Sequence, residues 1–400
     1  MIENAALFDD FFRYVRIDTQ SAEDSETQPS TLKQHDLARV LYDELLKLGA
    51  DAFYDQENGY VYASLPGREP ALGFVAHMDT SPAASGAGVR PRIVKEYDGE
   101  PIALNAQTVL DPAVFPELLS HIGEDLIVTD GTTLLGADNK AGVAEIMNLF
   151  RFYAEHPEAP HRKLCLAFTP DEEIGKGTAH FDLERFGAQE AYTVDGGKLG
   201  EIQYECFHAA AAKIEISGRS VHPGYAKNKM RNAAALAAEF HSLMPAYDVP
   251  EHTEGYEGFF YLTDIEGDCE SAHLKYIVRD HSREKFESRK ETLRRITSYL
   301  NGKYGTEIFS LTIRDQYHNM ADLMKNHLEL IDRAKAALAE LGVKEDIVPI
   351  RGGTDGAMLT YMGVPCPNLC TGGYNFHGRF EYASVQEMET CARMLILLAR

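Results

Sequence analysis

Five short segments of the chain end an apolar or glycine-rich run in Asp, Glu or His. Leu72–Ala76 runs into His77-Met78-Asp79-Thr80. Leu134-Leu135-Gly136 leads to Ala137-Asp138-Asn139-Lys140-Ala141-Gly142. Leu164–Phe168 is followed by Thr169-Pro170-Asp171-Glu172-Glu173-Ile174-Gly175, and Tyr192–Val194 by Asp195-Gly196-Gly197. The last segment is Gly373-Tyr374-Asn375-Phe376-His377-Gly378. Residues i and i+2 of a strand point to one side, so His77 and Asp79 can touch or address a common third party. Imidazole mixed with carboxylate is the donor set that suits Zn²⁺ or a related divalent ion. Gathered in one pocket, Asp138, Glu172, Glu173 and Asp195 would repel one another, and a cation resolves that conflict. Two ions use the acids better than one: Asp138 can give one oxygen to each, with an acidified water between them placed for attack. Taken singly, each residue has an ordinary use. Glu172-Glu173 serves as a solvated helix start, Asp138 as an N-cap and Asp195-Gly196-Gly197 as turn chemistry.

These residues converge only if strands bring them to one edge. Ala5–Val15 and Ser30–Leu48 have helical periodicity, with Ser30 as N-cap. Residues 52–54 and 60–65, split by Glu57-Asn58-Gly59, read as a hairpin. Leu72–Ala76, Lys163–Phe168 and Ala191–Val194 read as buried strands around a helix at Ala141–Ala154. This is an α/β pattern with a central, mostly parallel sheet flanked by helices. In such sheets ligands bind outside the carboxyl ends of the strands, where the five segments would lie. From about residue 207 the order becomes β-α-β-β-α-β, the ferredoxin-like pattern. Its strands are Ala209–Ile216, Phe259–Ile265, Ser271–Val278 and Glu307–Ile313, with helices Met230–Leu243 and Lys285–Leu300. After it come a helix at Leu328–Leu341, a glycine-rich segment, a short strand at Pro367–Leu369 and a terminal helix at Val385–Leu398. The expected organisation is a catalytic domain of residues 1–206 and 321–400 interrupted by an α+β lid domain of residues 207–320.

At 400 residues the chain exceeds what one core usually covers. Its 62 acidic against 39 basic residues give a net charge of −23, which repels phosphate backbones and argues against a nucleic-acid partner. The early acids and missing basic n-region read as no secretory signal, and no apolar run is long enough to span a bilayer. Cys165, Cys206, Cys269, Cys366, Cys370 and Cys391 form no CxxC pair and read as reduced thiols of a cytoplasmic protein.

Together the five motifs, in this order and over 300 residues, resemble the M20 family of dinuclear zinc metallopeptidases, and within it the branch that removes the N-terminal residue from tripeptides. The resemblance covers essentially the whole chain, lid included. It implies two Zn²⁺ per subunit, with Co²⁺ or Mn²⁺ as substitutes. His77 and Asp195 would hold one ion, Glu173 and His377 the other, and Asp138 would bridge. It implies a cis Asp138–Asn139 bond. It makes Glu172 the general base toward a bridging water, and Asp79 the partner that fixes the tautomer of His77. Ser220-Val221-His222-Pro223-Gly224 matches the family's lid motif, which implies that His222 stabilises the oxyanion, carried there by rotation about hinges near residues 207 and 320. A tripeptidase must also read the substrate carboxylate, for which Arg279 and Arg351 are the basic candidates. Tripeptides are the expected partners, with no nucleic acid and no membrane. A homodimer through lid edge strands is allowed by the same pattern. Three sister activities use the same metals: dipeptidase, carboxypeptidase and N-acyl amino-acid deacylase. A non-catalytic binding homologue is the remaining alternative, against which the presence of Glu172 argues.

Overall fold

The computed structural model describes residues 5–400. The chain forms two compact units: Met1–Tyr204 with Leu323–Val348 and Thr354–Arg400, and Glu205–Asp322 with Pro349–Gly353. Pro349–Gly353, and Arg351 with it, goes with the second unit.

The first unit is built on an eight-stranded mixed sheet. In spatial order its strands are Asp51–Tyr54, Val61–Leu65, Arg162–Thr169, Arg68–His77, Glu190–Val194, Asn368–Leu369, Glu201–Gln203 and Asp346–Ile347. The central run from Arg162–Thr169 to Asn368–Leu369 is parallel, and the hairpin at one end is antiparallel. The central strands are buried over their C-terminal halves, as expected where helices cover both faces of a parallel sheet. Helix Ala137–Glu155 packs on strand Arg68–His77, beside helices Ala5–Val15 and Val385–Leu398. The opposite face is filled by Tyr60, Tyr62, Val75, Phe181, Phe186 and Leu359 among others.

Three features differ from the sequence expectation. Ser30 caps no helix: the helix starts at Gln34 after Lys33, and the Ser30 hydroxyl and backbone N–H both donate to the Asp171 carboxylate. The glycine-rich segment contains a seven-residue helix, Asp355–Tyr361. A second, four-stranded antiparallel sheet joins Gly373–Tyr374, Tyr382–Ser384, Leu126–Val128 and Arg92–Val94. Its strands of two or three residues are too short for a periodicity to register.

The second unit is a four-stranded antiparallel sheet in the order Phe259–Gly267, Ser271–Asp280, His208–Ser217, Phe309–Tyr317. Along its third strand Ala210, Ala212, Ile214 and Ile216 are buried, while Lys213, Glu215 and Ser217 are exposed. That alternation presents one face to helices Ala233–Ser242 and Arg283–Tyr304, whose Leu236, Phe240, Phe286, Leu293 and Leu300 complete the core. This is the ferredoxin-like arrangement.

Candidate active site

Strand Arg68–His77 ends with the His77 ring, which is 2% exposed. Its Nδ1 faces the backbone oxygen of Asp79 at 3.1 Å and Asp79 Oδ1 at 3.3 Å. A carbonyl oxygen only accepts, so Nδ1 carries the proton and Nε2 is left to face the site. That Nε2 lies 2.9 Å from Asp138 Oδ1 and 3.2 Å from Asp195 Oδ1. The second oxygen of Asp138 lies 3.0 Å from His377 Nε2, which is in turn 2.9 Å from Glu173 Oε2. Two groups able to hold a metal ion result, His77–Asp138–Asp195 and Asp138–Glu173–His377, with Asp138 common to both. The Asp138–Asn139 peptide is cis.

The loops around these side chains are held by buried carboxylates. Asp79 is fully buried and accepts the backbone N–H of Glu172 at 3.0 Å and of Glu173 at 3.2 Å. It therefore does more than orient His77: it fixes the turn that carries both glutamates. Asp171 occupies the left-handed region at φ 57°. Its carboxylate accepts from Ser30 N at 2.7 Å and Gln34 Nε2 at 2.6 Å, as well as from the Ser30 hydroxyl. Its own N–H donates to Gln34 Oε1 at 3.2 Å. A non-glycine residue in that conformation costs about 1–3 kcal/mol and persists only where its surroundings over-determine it. His377 and Asn375 also have positive φ, 64° and 54°. The roles of Ser30, Gln34 and Asp171 leave no mark in the sequence, because the first two lie about 140 residues from the turn they secure.

The electrostatics follow from crowding acids in a buried place. Burial pushes Glu172 well above the ordinary carboxylate range, and Asp195, Asp355 and Glu173 add to that against the opposing pull of His77. Burial also raises Glu173, to about 7, against its hydrogen bond with His377. Asp138 is held below the usual range, since its bonds to His377 and His77 outweigh burial. Hydrogen bonds to Asp138 and Glu173 lift His377 to about 10. His77 is raised despite burial by Asp195 and Asp138. The carboxylates thus draw positive charge onto the imidazoles, the place that divalent cations take when they displace such protons. Glu173 Oε1 is buried with no hydrogen-bond partner, a cost of about 1–3 kcal/mol that a cation at this spot removes. The donor set fits a pair of divalent ions.

His222, Arg279 and Arg351 belong to the second unit. His222 is exposed and caps the turn Pro223–Tyr225, its Nδ1 accepting from Gly224 N at 3.2 Å. Arg279 donates from one terminal nitrogen to Ala210 O and Val278 O, at 3.3 and 3.1 Å, and lies over the Tyr317 ring. Arg351 donates from both terminal nitrogens to backbone oxygens of Thr253, Gly255 and Glu257 and to Thr253 Oγ1, and lies against the Phe207 and Phe259 rings. Both terminal nitrogens of its guanidinium are engaged in tying down residues 253–257.

The peptidase dimerisation domain family matches residues 204–307. Peptidase T of Geobacillus sp. (strain WCH70) is 51% identical over 392 residues, 96% of each chain. Among solved structures, aminopeptidase PepT from Bacillus cereus ATCC 10987 superposes with a TM-score of 0.77 at 23% identity, over 99% of this chain and 98% of that one. A tripeptidase from Staphylococcus aureus subsp. aureus mu50 gives 0.79 at 18%, over 100% and 98%. The structures share the fold, and half identity along nearly the full length goes further: the chain belongs to the peptidase T family, a branch of the M20 peptidases.

Proposed function

We propose that this chain removes the N-terminal residue from tripeptides, using two zinc ions held by His77, Asp138, Asp195, Glu173 and His377. Membership of the peptidase T family makes it a metal-dependent aminopeptidase. The observation that carries the two-ion reading is Asp138, whose two oxygens face two different imidazoles at 2.9 and 3.0 Å. Bound there, the ions would supply an acidified water and positive charge for the scissile carbonyl. Glu172 is the general base. It is partly buried at the end of a loop locked by Asp79, and its raised affinity for protons suits it to take one from the nucleophile and return it to the leaving amine. Asp79 holds His77 and the Glu172 loop in register. His222 is assigned to the developing oxyanion. Arg279 is preferred to Arg351 for the substrate carboxylate, since Arg351 has both ends of its fork engaged. Six free cysteines support a cytoplasmic setting, and no helix among the described residues is long and apolar enough to cross a membrane.

The test is hydrolysis of an unblocked tripeptide with zinc present, beside its N-acetylated form and a dipeptide. Cleavage of the free tripeptide alone is the expected outcome. Cleavage of the acetylated peptide or the dipeptide instead moves the chain to the deacylase or dipeptidase branch and removes the substrate assignment.

A further inference from the structure

Asp138 and His377 lie 239 residues apart in the chain, and one side chain is tied to the segments of both. Glu381 is 1% exposed. Its Oε2 accepts the backbone N–H of Leu135 at 2.7 Å and of Gly136 at 2.8 Å, and its Oε1 accepts that of Asp138 at 3.0 Å. Its own backbone N–H donates to Gly378 O at 3.1 Å, closing a turn that begins one residue after His377. Asn375 Nδ2 donates to Phe380 O at 3.2 Å across the same turn. From Tyr382 the chain enters a strand paired with Gly373–Tyr374 and with Leu126–Val128, so the turn is anchored on both sides. The backbone of Glu381 thus fixes where His377 stands, and its carboxylate fixes where Asp138 begins.

We propose that Glu381 is a positioning residue whose carboxylate places the shared Asp138, and through it sets the affinity of both metal-holding groups for their ions. This rests on the two-ion reading above. The N–H groups of Leu135, Gly136 and Asp138 run from the preceding loop into the first turn of helix Ala137–Glu155, and a buried carboxylate that accepts all three holds that entry more firmly than a hydroxyl cap accepting one. Asp79 does similar work for Glu172 and Glu173, but those two are neighbours on one turn. Glu381 joins segments that local sequence cannot hold together. A side-chain change at Glu381 leaves its backbone N–H on Gly378 O, and His377 with it, so each group keeps two of its three donors and the shared Asp138 is the one displaced.

The competing account is that Glu381 only caps helix Ala137–Glu155, which would lower stability and nothing else. Glu381→Gln keeps the length and one oxygen but turns an amide N–H toward a backbone N–H. Glu381→Asp keeps both oxygens and withdraws them by one methylene. Chelator-stripped wild-type and variant proteins are titrated with zinc by calorimetry and with Co²⁺ by visible absorption, with thermal midpoints recorded on the stripped proteins. The expected result is two ions for wild type. For Glu381→Gln both ions bind about 10–100-fold more weakly, the range usual for residues that orient a ligand. Glu381→Asp falls between, and excess zinc restores kcat in both. Wild-type affinity for both ions with only a lowered midpoint overturns the proposal in favour of the cap. Fewer than two ions on wild type overturns the two-ion reading and the proposal with it. If Glu381→Gln does not fold, Glu381→Asp is held to the same criterion.

Discussion

The carboxylate of Asp138 is divided between two imidazoles, and in the proposed function the neighbouring acids divide by surroundings into holders and a base. Glu173 points one oxygen at His377 and leaves the other without a partner. Glu172, one residue earlier, carries its N–H on Asp79 and belongs to neither metal-holding group. That difference supports the proposed assignment of Glu172 as the base. Glu172→Ala is expected to lower kcat by about 10²–10⁴-fold, the span of a positioned proton carrier. Zinc stoichiometry by calorimetry and the thermal midpoint should stay at wild-type values. Retained turnover, or loss of an ion along with activity, would show that the role of Glu172 is misassigned. The adjacent Glu173→Ala makes the contrast, since there an ion should be lost with activity.

Helix Ala137–Glu155 carries Asp138 and abuts strand Glu190–Val194, which Asp195 follows, so its packing reaches the site directly. A Cβ at Gly142 would lie 2.0 Å from Val194 O and 2.6 Å from Asn139 Oδ1. Gly142→Ala must therefore push the helix off the strand carrying Asp195. The expected cost is about 1–3 kcal/mol, the usual range for an overpacked core, with zinc affinity falling in parallel; urea unfolding and zinc titration read the two. Farther along the helix, Glu145 is fully buried with neither oxygen partnered. Burial raises its proton affinity well above the ordinary carboxylate value of 4.5, so the folded chain holds the proton. The unfolded chain releases it above pH 4.5, so this contribution is complete at lower pH and is lost as pH rises. Glu145→Gln should match wild type near pH 4 and become progressively more stable than it as pH rises toward 7, because the wild-type chain must keep the buried group protonated. Chemical denaturation at the two pH values tests it, and a difference that does not change with pH would defeat it.

For the whole molecule, charge and edge strands set the association. The dimerisation-domain match covers three of the four strands of the second unit's sheet, whose edge strand Phe259–Gly267 pairs on one side only and exposes Tyr261 and Ile265. Such an edge invites pairing with another copy. Sedimentation should give twice the 44.5 kDa chain mass. Two chains of net charge −23 repel, and the Debye length shrinks from about 30 Å at 0.01 M salt to about 8 Å at 0.15 M. The dimer should therefore weaken as salt is removed. A monomer at all salt concentrations would exclude the edge as an interface in solution.

The donor types, the α/β and ferredoxin-like rhythms and the resemblance were legible in the amino-acid order, because each is local. A buried strand shows as an apolar run, a hairpin as Glu57-Asn58-Gly59 between two such runs, and a chelating residue by its type at a strand end. What needed the tertiary structure was everything held across long separations. Ser30 read as a helix cap, and only its approach to Asp171, 141 residues away, shows what its hydroxyl serves. Arg351 read as a guanidinium waiting for a carboxylate, and only folding shows its fork filled by the carbonyls of residues 253–257. Glu381 carries no local signal, since its meaning lies in three N–H groups some 245 residues earlier. Periodicity reports the environment of a residue's own element, whereas a hydrogen bond between loops depends on where two distant segments come to rest, and the packed core alone decides that.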